Sequence, residues 1–487
     1  MTKDSENECA RRGSTPALAA VTILALSGCT MVGPDYSPPE TETPDQWQQA
    51  LAEGMATGQD ELVSWWEQLN DPQLTGLIAR AKKGNPGLKE TIARLREARA
   101  KRAIATGEKV PAIDGFGGVS RNRVPESFIP PTTDFNRYNT FYELGVGASW
   151  EVDFWGRVRR NVEAEDAGLQ GSLESYRDAL VLLYGEVALT YTEVRALQAR
   201  IRFIEGNIGT QRDSLQLVVD RNKAGIASDL EVSQAELNLY RTTATLPALQ
   251  AALTASINRL GVLLGESPQA LHTELTNPEP IPALPQQMFV GVPGELVRRR
   301  PDIRAAERSL AAETARVGVA TAELYPRFGI TGDFSMLSTD VGDVFDWDSR
   351  RFNIGGFFSW NLFNGGRVRG QIEVQDARTE QALYRYEQTV LSALEEVETN
   401  LSNFGRERER RAALAQSSAA AQKSVKLVLI LYRTGLTDFQ NVLDMQRSLF
   451  EQQDQLAASD GEVIKNLIRI YTSLGGGWDP DDLPALN

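Results

Sequence analysis

The chain repeats itself along its own sequence, and this repeat constrains the fold more than any other feature. The run from Trp150 to Arg159 recurs 210 residues later as Trp360 to Arg369. Upstream of these runs, Pro111 has its counterpart 215 residues later. Matches that keep a constant offset over more than a hundred residues indicate two copies of one structural unit. We assign the first unit to residues 62–265, a proline-rich linker to 266–291 and the second unit to 292–475.

Each unit is predicted to contain the same elements in the same order. Apolar residues that alternate with small or polar ones predict two short strands per unit, at 113–121, 140–152, 328–336 and 352–362. Apolar residues at steps of three and four predict a long coiled-coil helix and then a return helix, at 157–223 and 230–264 in the first unit and at 367–434 and 440–474 in the second. The first long helix would span about 100 Å.

The turns between long and return helices carry clear signals. Gly225 and Gly435 fit the left-handed position that ends a helix. Two pairs fit the capping box that begins the next helix, namely Ser228 with Glu231 and Thr437 with Gln440.

Charge and composition exclude several classes of function. The chain has 487 residues and a net charge of −14, which argues against binding nucleic acid through phosphate contacts. Two cysteines cannot form a disulfide framework, and a single histidine excludes most metal sites and most histidine-based catalysis. No nucleophile–base pair is evident, so we do not expect an enzyme, a metal site or a bound cofactor. After residue 28 no apolar run is long enough for a membrane-spanning helix.

The N-terminus has the layout of a secretory signal, which we assign to residues 1–28. Leu26-Ser27-Gly28-Cys29 resembles the bacterial lipobox, whose cysteine is acylated and becomes the first residue of the mature protein. Cys29 would then be the lipid attachment site, with 29–61 as an anchored N-terminal segment. The alternative is cleavage at a nearby small residue and an incidental cysteine. In Gram-negative lipoproteins, the absence of Asp after the cysteine favours sorting to the outer membrane.

Four strands are too few to cross a membrane alone. The strand that contains Tyr142, Leu144 and Val146 on one face has small and polar residues on the other, as a lipid-facing barrel wall requires. The smallest membrane barrels need about eight strands, and open edges are not tolerated in lipid. Two copies would supply eight strands, and three would supply twelve with room for a channel. The alternative is a soluble two-sheet sandwich on a coiled-coil stalk.

Several motifs together resemble TolC-like outer-membrane efflux proteins, in the lipoprotein subgroup that serves resistance-nodulation-division pumps. They run in family order along nearly the whole mature chain: Gly33-Pro34-Asp35-Tyr36, Trp65-Trp66, Trp150 to Gly156, Arg299 to Glu307, Val442 to Arg447 and Leu474 to Trp478. The resemblance implies an α+β fold in which a homotrimer forms a twelve-stranded barrel, four strands per chain, continuous with a long periplasmic α-helical barrel. It also implies a belt around the linker and the termini, including the tail 476–487.

The resemblance assigns a periplasmic gate to four residues. Asp444 matches the acid that lines the narrow end, Arg447 matches the arginine of the same motif, and Tyr432 matches an aromatic residue that helps to latch the closed state. Glu231 occupies the matching position in the first unit, although a role in its capping box is the simpler interpretation and the one we favour. Asn441 stands where the family sometimes has a second acid. Asp444 could also be an ordinary solvated acid on a helix surface.

The resemblance also implies that the turns dock onto a periplasmic adaptor protein. The residues concerned are Arg221, Gly225, Ser228, Arg433, Gly435 and Thr437. A plain cap of a coiled-coil hairpin would use the same residues, and both roles can hold together.

We therefore expect the outer-membrane exit duct of a tripartite efflux pump, which exports small molecules such as drugs. Its partners would be two further copies of the chain, the adaptor, an inner-membrane transporter and outer-membrane lipid, and its only bound group a covalent lipid on Cys29. The alternatives are an exit duct for type I protein secretion and a non-conducting, lipid-anchored coiled-coil structural protein.

Overall fold

The computed structural model describes the chain from residue 31 to residue 484 with short gaps. The described ranges are 31–40, 43–49, 52–57, 62–125, 127 and 137–484. The expected signal peptide and the expected lipid attachment site Cys29 lie outside these residues.

The elements alternate between short strands and helices of very different lengths. The strands are β1 (Met55–Thr57), β2 (Ala112–Arg123), β3 (Tyr138–Val152), β4 (Met288–Val290), β5 (Arg327–Ser338) and β6 (Arg350–Ser359). The helices are α1 (Pro72–Gly84), α2 (Pro86–Gly107), α3 (Arg157–Lys223), α4 (Asp229–Thr243), α5 (Leu246–Leu264), α6 (His272–Leu275), α7 (Pro293–Arg299), α8 (Pro301–Ala322), α9 (Arg367–Arg433) and α10 (Phe439–Ser473). Short 3-10 helices lie at Trp65–Leu69 and Trp347–Ser349. None of the helices in the described part of the chain is long and apolar enough to cross a membrane.

The chain divides into two units. The sheet unit comprises Met1–Pro38, Ala98–Leu169 and Arg308–Leu383, and the helical unit comprises Pro39–Glu97, Gln170–Glu307 and Tyr384–Asn487.

The sheet unit is built on four antiparallel strands in the order β2-β3-β5-β6. Every residue of the two edge strands, β2 and β6, is exposed. The expectation that the last strand continues to Leu362 is wrong, because β6 ends at Ser359, the last residue that pairs with β5. Trp150 directly follows the part of β3 that pairs with β2, and Trp360 directly follows the part of the chain that pairs with β5. The two side chains make equivalent hydrogen bonds: Trp150 Nε1 donates to Lys109 O at 3.1 Å and Trp360 Nε1 donates to Leu324 O at 3.0 Å.

A buried arginine fixes the N-terminal stretch of the sheet unit. Arg160 is 1% exposed. Its guanidinium donates to Val32 O at 3.1 Å, to Asp35 Oδ1 at 2.7 Å and to Glu163 Oε2 at 2.9 Å. The same stretch contains Gly33, which adopts a left-handed backbone conformation with a φ of +84°. A buried guanidinium with several acceptors holds a chain segment in place, because separating them would leave a buried charge uncompensated.

The helical unit contains the main hydrophobic core, in which the ring of the fully buried Trp65 stacks on Tyr471 with centroids 5.5 Å apart. Phe404 is also fully buried there. The residues expected to be a plain linker contribute structure of their own, since β4 pairs in parallel with β1 through Met288 and Met55.

Trp478, near the C-terminus, is held by cation–π contacts within the helical unit. The guanidinium groups of Arg177 and Arg304 lie over the Trp478 ring, 4.6 and 5.2 Å from its centroid. Both groups also donate to Glu174 Oε1, at 2.8 and 2.7 Å. One carboxylate therefore orients two cations against one indole.

A second charged group of the helical unit centres on Arg300. Its guanidinium donates to Asp302 Oδ2 at 2.7 Å, to Glu396 Oε2 at 2.8 Å and to Ser473 O at 2.7 Å. Burial raises the pKa of Asp178 to about 6; the carboxylates of Asp302 and Glu396 act in the same direction, and Arg300 opposes them.

The two return helices differ, and the prediction of a single helix over 230–264 is wrong. The first return segment is interrupted at Ala244 and Thr245, and α5 begins with Pro247 in its first turn. Proline has no N–H to donate and breaks a continuing helix. The equivalent position of the second repeat is Ala457, and α10 is continuous for 35 residues.

Candidate functional site: the two helix turns

The two turns that end the long helices have the same geometry. Gly225 and Gly435 have φ values of +74° and +77°. After Gly225, the amide of Ile226 donates to Arg221 O at 3.0 Å, and the equivalent bond after Gly435 measures 2.9 Å. A left-handed glycine with a hydrogen bond that reaches back five residues is the Schellman ending of a helix. These are the two positions of the turns where the backbone requires glycine.

The first return helix begins with the expected capping box. Ser228 N donates to Glu231 Oε2 at 3.0 Å, and Glu231 N donates to Ser228 Oγ at 3.3 Å. This arrangement satisfies backbone donors at the start of α4 that would otherwise lack a partner. The carboxylate of Glu231 is therefore already engaged in fixing the turn.

The second return helix begins differently, and the predicted capping box of Thr437 with Gln440 is wrong. The residue at the N-cap is Asp438, whose side chain makes no capping hydrogen bond. The hydroxyl oxygen of Thr437 instead accepts from Asn441 Nδ2 at 2.9 Å. Thr437 lies one residue before the N-cap. Its hydroxyl therefore does not occupy the position from which a side chain caps the amides of the first turn.

Tyr432 is buried near the end of α9, next to the second turn. Its ring lies 5.1 Å from that of Phe439, and the guanidinium of Arg221 lies over it at 4.8 Å. Arg221 Nη1 also donates to Arg433 O at 3.3 Å. One arginine thus connects the end of α3 with the end of α9.

The environment of the Tyr432 hydroxyl is unusual. The hydroxyl is buried and has no hydrogen-bond partner among the described residues. Burial raises the pKa of Tyr432, the nearby charge of Glu231 acts in the same direction, and Arg221 opposes both. A buried hydroxyl without a hydrogen-bond partner costs free energy, and the guanidinium of Arg221 over the ring is the nearest charged group to offset it.

Asp444 and Arg447 lie together on α10. Arg447 Nη1 is 3.3 Å from Asp444 Oδ1, which also accepts from Gln440 Nε2 at 3.0 Å. The side chains of Asp444 and Arg447 are 48% and 35% exposed. An ion pair this exposed contributes only about 0–1 kcal/mol. Both charges therefore remain available for other contacts.

The turns themselves expose apolar side chains. Ile226 is 63% exposed and Leu436 is 74% exposed, one directly after each left-handed glycine. Behind them lies a separate small core, the tip cluster, made of Val218, Ala235, Val428, Tyr432, Phe439, Val442 and Leu443. The turns thus carry an exposed apolar end and have a small hydrophobic core of their own.

Two participants were not predicted from the sequence. Phe439 forms the floor beneath Tyr432, and Gln440 holds the Asp444 carboxylate. Gln440 was expected to take part in a capping box instead, and Phe439 had no signal beyond its position in the first turn of a return helix. In the described ranges, no group of three His, Cys, Asp or Glu residues is placed to hold a metal ion.

Comparison with known proteins identifies the chain. It matches the family Outer membrane efflux protein over residues 77–266 and 292–476. The chain belongs to the outer membrane efflux protein family. Its resemblance to TolC-like channels is thereby confirmed, and the chain is an efflux channel of the Gram-negative outer membrane that extends into the periplasm.

Individual relatives match this chain over nearly their whole length. The chain is 29% identical to the outer membrane protein OprJ of Pseudomonas aeruginosa, over 95% of each chain. It is 27% identical to the solvent efflux pump outer membrane protein SrpC of Pseudomonas putida, over 95% of this chain and 98% of that protein. The solved outer-membrane channel OprN is 34% identical, with a TM-score of 0.87 over 92% of this chain and all of that one.

Proposed function

We propose that three copies of this chain form the exit duct of a tripartite efflux pump. Each copy contributes four strands to a twelve-stranded barrel in the outer membrane and its long helices to a periplasmic α-helical barrel. A lipid on Cys29 anchors each copy. The observation that carries this proposal is the sheet β2-β3-β5-β6, whose exposed outer strands β2 and β6 have no neighbouring strand on their outer edges within the part of the chain that the structure describes.

Lipid does not tolerate such edges. Unpaired backbone N–H and C=O groups have no water to bind in the hydrocarbon region, so strands survive there only in a closed ring. Four strands are too few to close, whereas twelve enclose a wide channel. The exposed apolar residues of the sheet, such as Val146, Ile330 and Phe358, fit the lipid-facing side of that ring.

The gate would lie at the periplasmic turns. Around a threefold axis, Asp444 would occur three times and form a ring of like charges that narrows the passage and prefers cations. Arg447 is exposed enough to reach a carboxylate of a neighbouring copy, and Tyr432 would help to latch the closed state. Glu231 would contribute a negative charge near Tyr432, while its carboxylate still forms the capping box with Ser228.

The two turns would dock onto the tips of a periplasmic adaptor. Rigid turns with an exposed Ile226 or Leu436 beside Arg221 and Arg433 offer an apolar contact with a basic rim. Gly225, Gly435, Ser228 and Thr437 would fix the shape of that surface. An inner-membrane transporter of the resistance-nodulation-division class would supply the cargo, which we take to be small organic molecules because one relative is a solvent efflux pump protein.

Conductance across a planar bilayer tests this function. The purified full-length protein should insert as a trimer and conduct, and Asp444→Asn should raise the conductance and weaken the cation preference. Glu236→Gln is the matched control, because Glu236 is an exposed acid on the other return segment. A stable trimer that never conducts, even with Asp444 and Arg447 both replaced, would favour the structural-protein alternative. Export of a polypeptide but not of a small dye would favour type I secretion.

A further inference from the structure

One cavity of the helical unit plays no part in the two turns. It has a volume of about 520 Å³ and lies between the 3-10 helix Trp65–Leu69, α1, α3 and the residues that follow α10. Tyr184 of α3 lines it, about 60 Å along that helix from the Gly225 turn. Cavities of this size are typical of small-molecule sites. We call it the Trp66 cavity, after the half-buried indole in its wall.

Two aromatic rings form the wall of the Trp66 cavity. The ring of Trp66 meets that of Tyr184 edge on, with centroids 4.9 Å apart and an angle of 70° between the planes. The buried side chain of Ile78 adds an aliphatic surface. The face of an aromatic ring attracts a cation, and the indole of tryptophan attracts it most strongly. The wall therefore suits a positively charged organic group better than a negatively charged one.

The rim of the Trp66 cavity carries an excess of negative charge. One cation lines the cavity, Lys82, against four acids, Glu67, Asp479, Asp481 and Asp482. Lys82 forms an ion pair with Asp482. The other three carboxylates have no ion pair within the part of the chain that the structure describes. Carboxylates held near one another repel, and a ligand with several positive charges would relieve that repulsion.

Tyr184 supplies a polar group that the fold itself does not use. Its side chain is only 4% exposed, and its hydroxyl makes no hydrogen bond to any of the described residues. Burial raises the pKa of Tyr184, and the charge of Asp482 acts in the same direction, so the hydroxyl stays neutral. The equivalent residue of the second repeat, 210 positions later, is Leu394, so packing at this position does not require a hydroxyl. Because Tyr184 lines the cavity, its oxygen is available to a donor that enters there.

We propose that the Trp66 cavity binds an alkylamine that carries several ammonium groups. One ammonium group lies against the indole of Trp66 and donates to the hydroxyl oxygen of Tyr184. The others pair with the free carboxylates, among them Asp479 and Asp481, and the alkyl segments between them cover the aliphatic surface. All of these residues belong to one unit of one chain, so the site does not depend on assembly into a trimer.

The arrangement of the acids favours such a chain-like cation over a metal ion. No three acids in the described ranges are close enough together to hold a metal. Charges that are spread around a cavity match a ligand whose own charges are spread along a chain. Three free carboxylates also match the three positive charges of a triamine.

Calorimetric titration of the full-length protein in detergent with the triamine spermidine tests this site. Every protein in the series contains Asp444→Asn, so that the acidic ring proposed at the gate does not bind the probe. The titration is repeated with added Mg²⁺ and with sodium chloride at the same ionic strength, which separates competition for the site from screening.

Two variants remove different parts of the site. Tyr184→Phe keeps the ring and removes only the hydroxyl. Asp479→Asn with Asp481→Asn removes two charges and keeps the side-chain oxygen of residue 479 that accepts from the amide of residue 481 at 2.9 Å. The matched control is Asp213→Asn with Glu236→Gln, which removes two exposed acids elsewhere in the helical unit. Circular dichroism establishes that each variant is folded, and either site variant alone suffices for the test.

We expect saturable binding of one spermidine per chain. Each site variant should weaken it about three- to tenfold, since each loses a hydrogen bond or partly exposed ion pairs, while the control pair binds as the starting protein does. Equal weakening by the control pair would show that spermidine follows net charge alone and would overturn the site. Stronger competition by Mg²⁺ than by sodium chloride at equal ionic strength would overturn the assignment to an organic cation. No saturable binding to a trimer that still conducts would remove the site and leave the exit duct intact.

Discussion

Replacing Asp178 by asparagine is expected to stabilise the folded protein at neutral pH. Burial, aided by the carboxylates of Asp302 and Glu396 and opposed by Arg300, raises the pKa of Asp178 to about 6. In the unfolded chain the same carboxyl has a pKa of about 3.9. The difference corresponds to roughly 3 kcal/mol between the two protonation states, as an upper limit.

The sign follows from which state holds the proton. The folded chain binds this proton more tightly than the unfolded chain, so the stabilisation is complete below about pH 4 and is lost as the pH rises through about 6. Asparagine resembles the protonated acid and cannot ionise. The variant should therefore exceed the wild type only slightly near pH 4.5 and by most of the full difference at pH 7.5.

Thermal unfolding followed by circular dichroism in detergent, from pH 4.5 to pH 8, measures this effect. The midpoint difference between Asp178→Asn and the wild type should grow between pH 5 and pH 7 and then level off. Asp213→Asn is the control, since Asp213 is an exposed acid on the same helix α3 and should give a flat difference. A constant difference for Asp178→Asn across this range would show that ionisation of Asp178 does not limit stability.

Three further substitutions test other parts of the structure. Ser228→Ala should lower the free energy of unfolding by about 1 kcal/mol and speed amide hydrogen exchange in the first turn of α4. Thr437→Ala should change little, because Thr437 does not cap its helix. Equal effects of the two substitutions would contradict the observed caps. Gly33→Ala should lower the free energy of unfolding by about 1–3 kcal/mol and make residues 31–38 more accessible to protease. The reason is that the φ of Gly33 is positive and the new Cβ would lie 2.4 Å from Gly318 Cα. Unchanged cleavage would refute this. Phe404→Ala should cost about 3–5 kcal/mol, seen as a lower thermal midpoint, and a loss below about 1 kcal/mol would show that the core refills the space.

Periodicity carried most of the information about the secondary structure. The heptad-like spacing predicts the long helices, and the structure has helices over Arg157–Lys223 and Arg367–Arg433. The period-two segments likewise fall in β2, β3, β5 and β6. Long elements with many periods are the easiest to predict from a single sequence, because each residue adds to the same signal.

The errors arose where one residue or one distant contact decides the structure. Pro247 lies within the predicted return helix 230–264, and its missing N–H ends the run that the apolar spacing would continue. The three-residue strands β1 and β4 are too short for a pattern of their own, and they exist because the chain brings Met55 beside Met288. Local spacing does not contain such a contact.

The candidate site was predictable in part for a similar reason. The glycines of the turns and the capping box of Ser228 are local signals, and the structure has them. The stacking of Arg221 on Tyr432 joins residues 211 positions apart in the chain, so only the fold could show it. The roles of Asp444 and Arg447 depend on further copies of the chain and remain proposals.

The interruption of the first return segment gives the two turns unequal mechanical support. The Gly435 turn is followed by the continuous helix α10, whereas the helix after the Gly225 turn is interrupted at Ala244–Thr245. Helices bend most easily where a proline removes a hydrogen bond. The turn at Gly435 is therefore followed by one continuous helix of 35 residues, whereas the turn at Gly225 is followed by two shorter helices in succession.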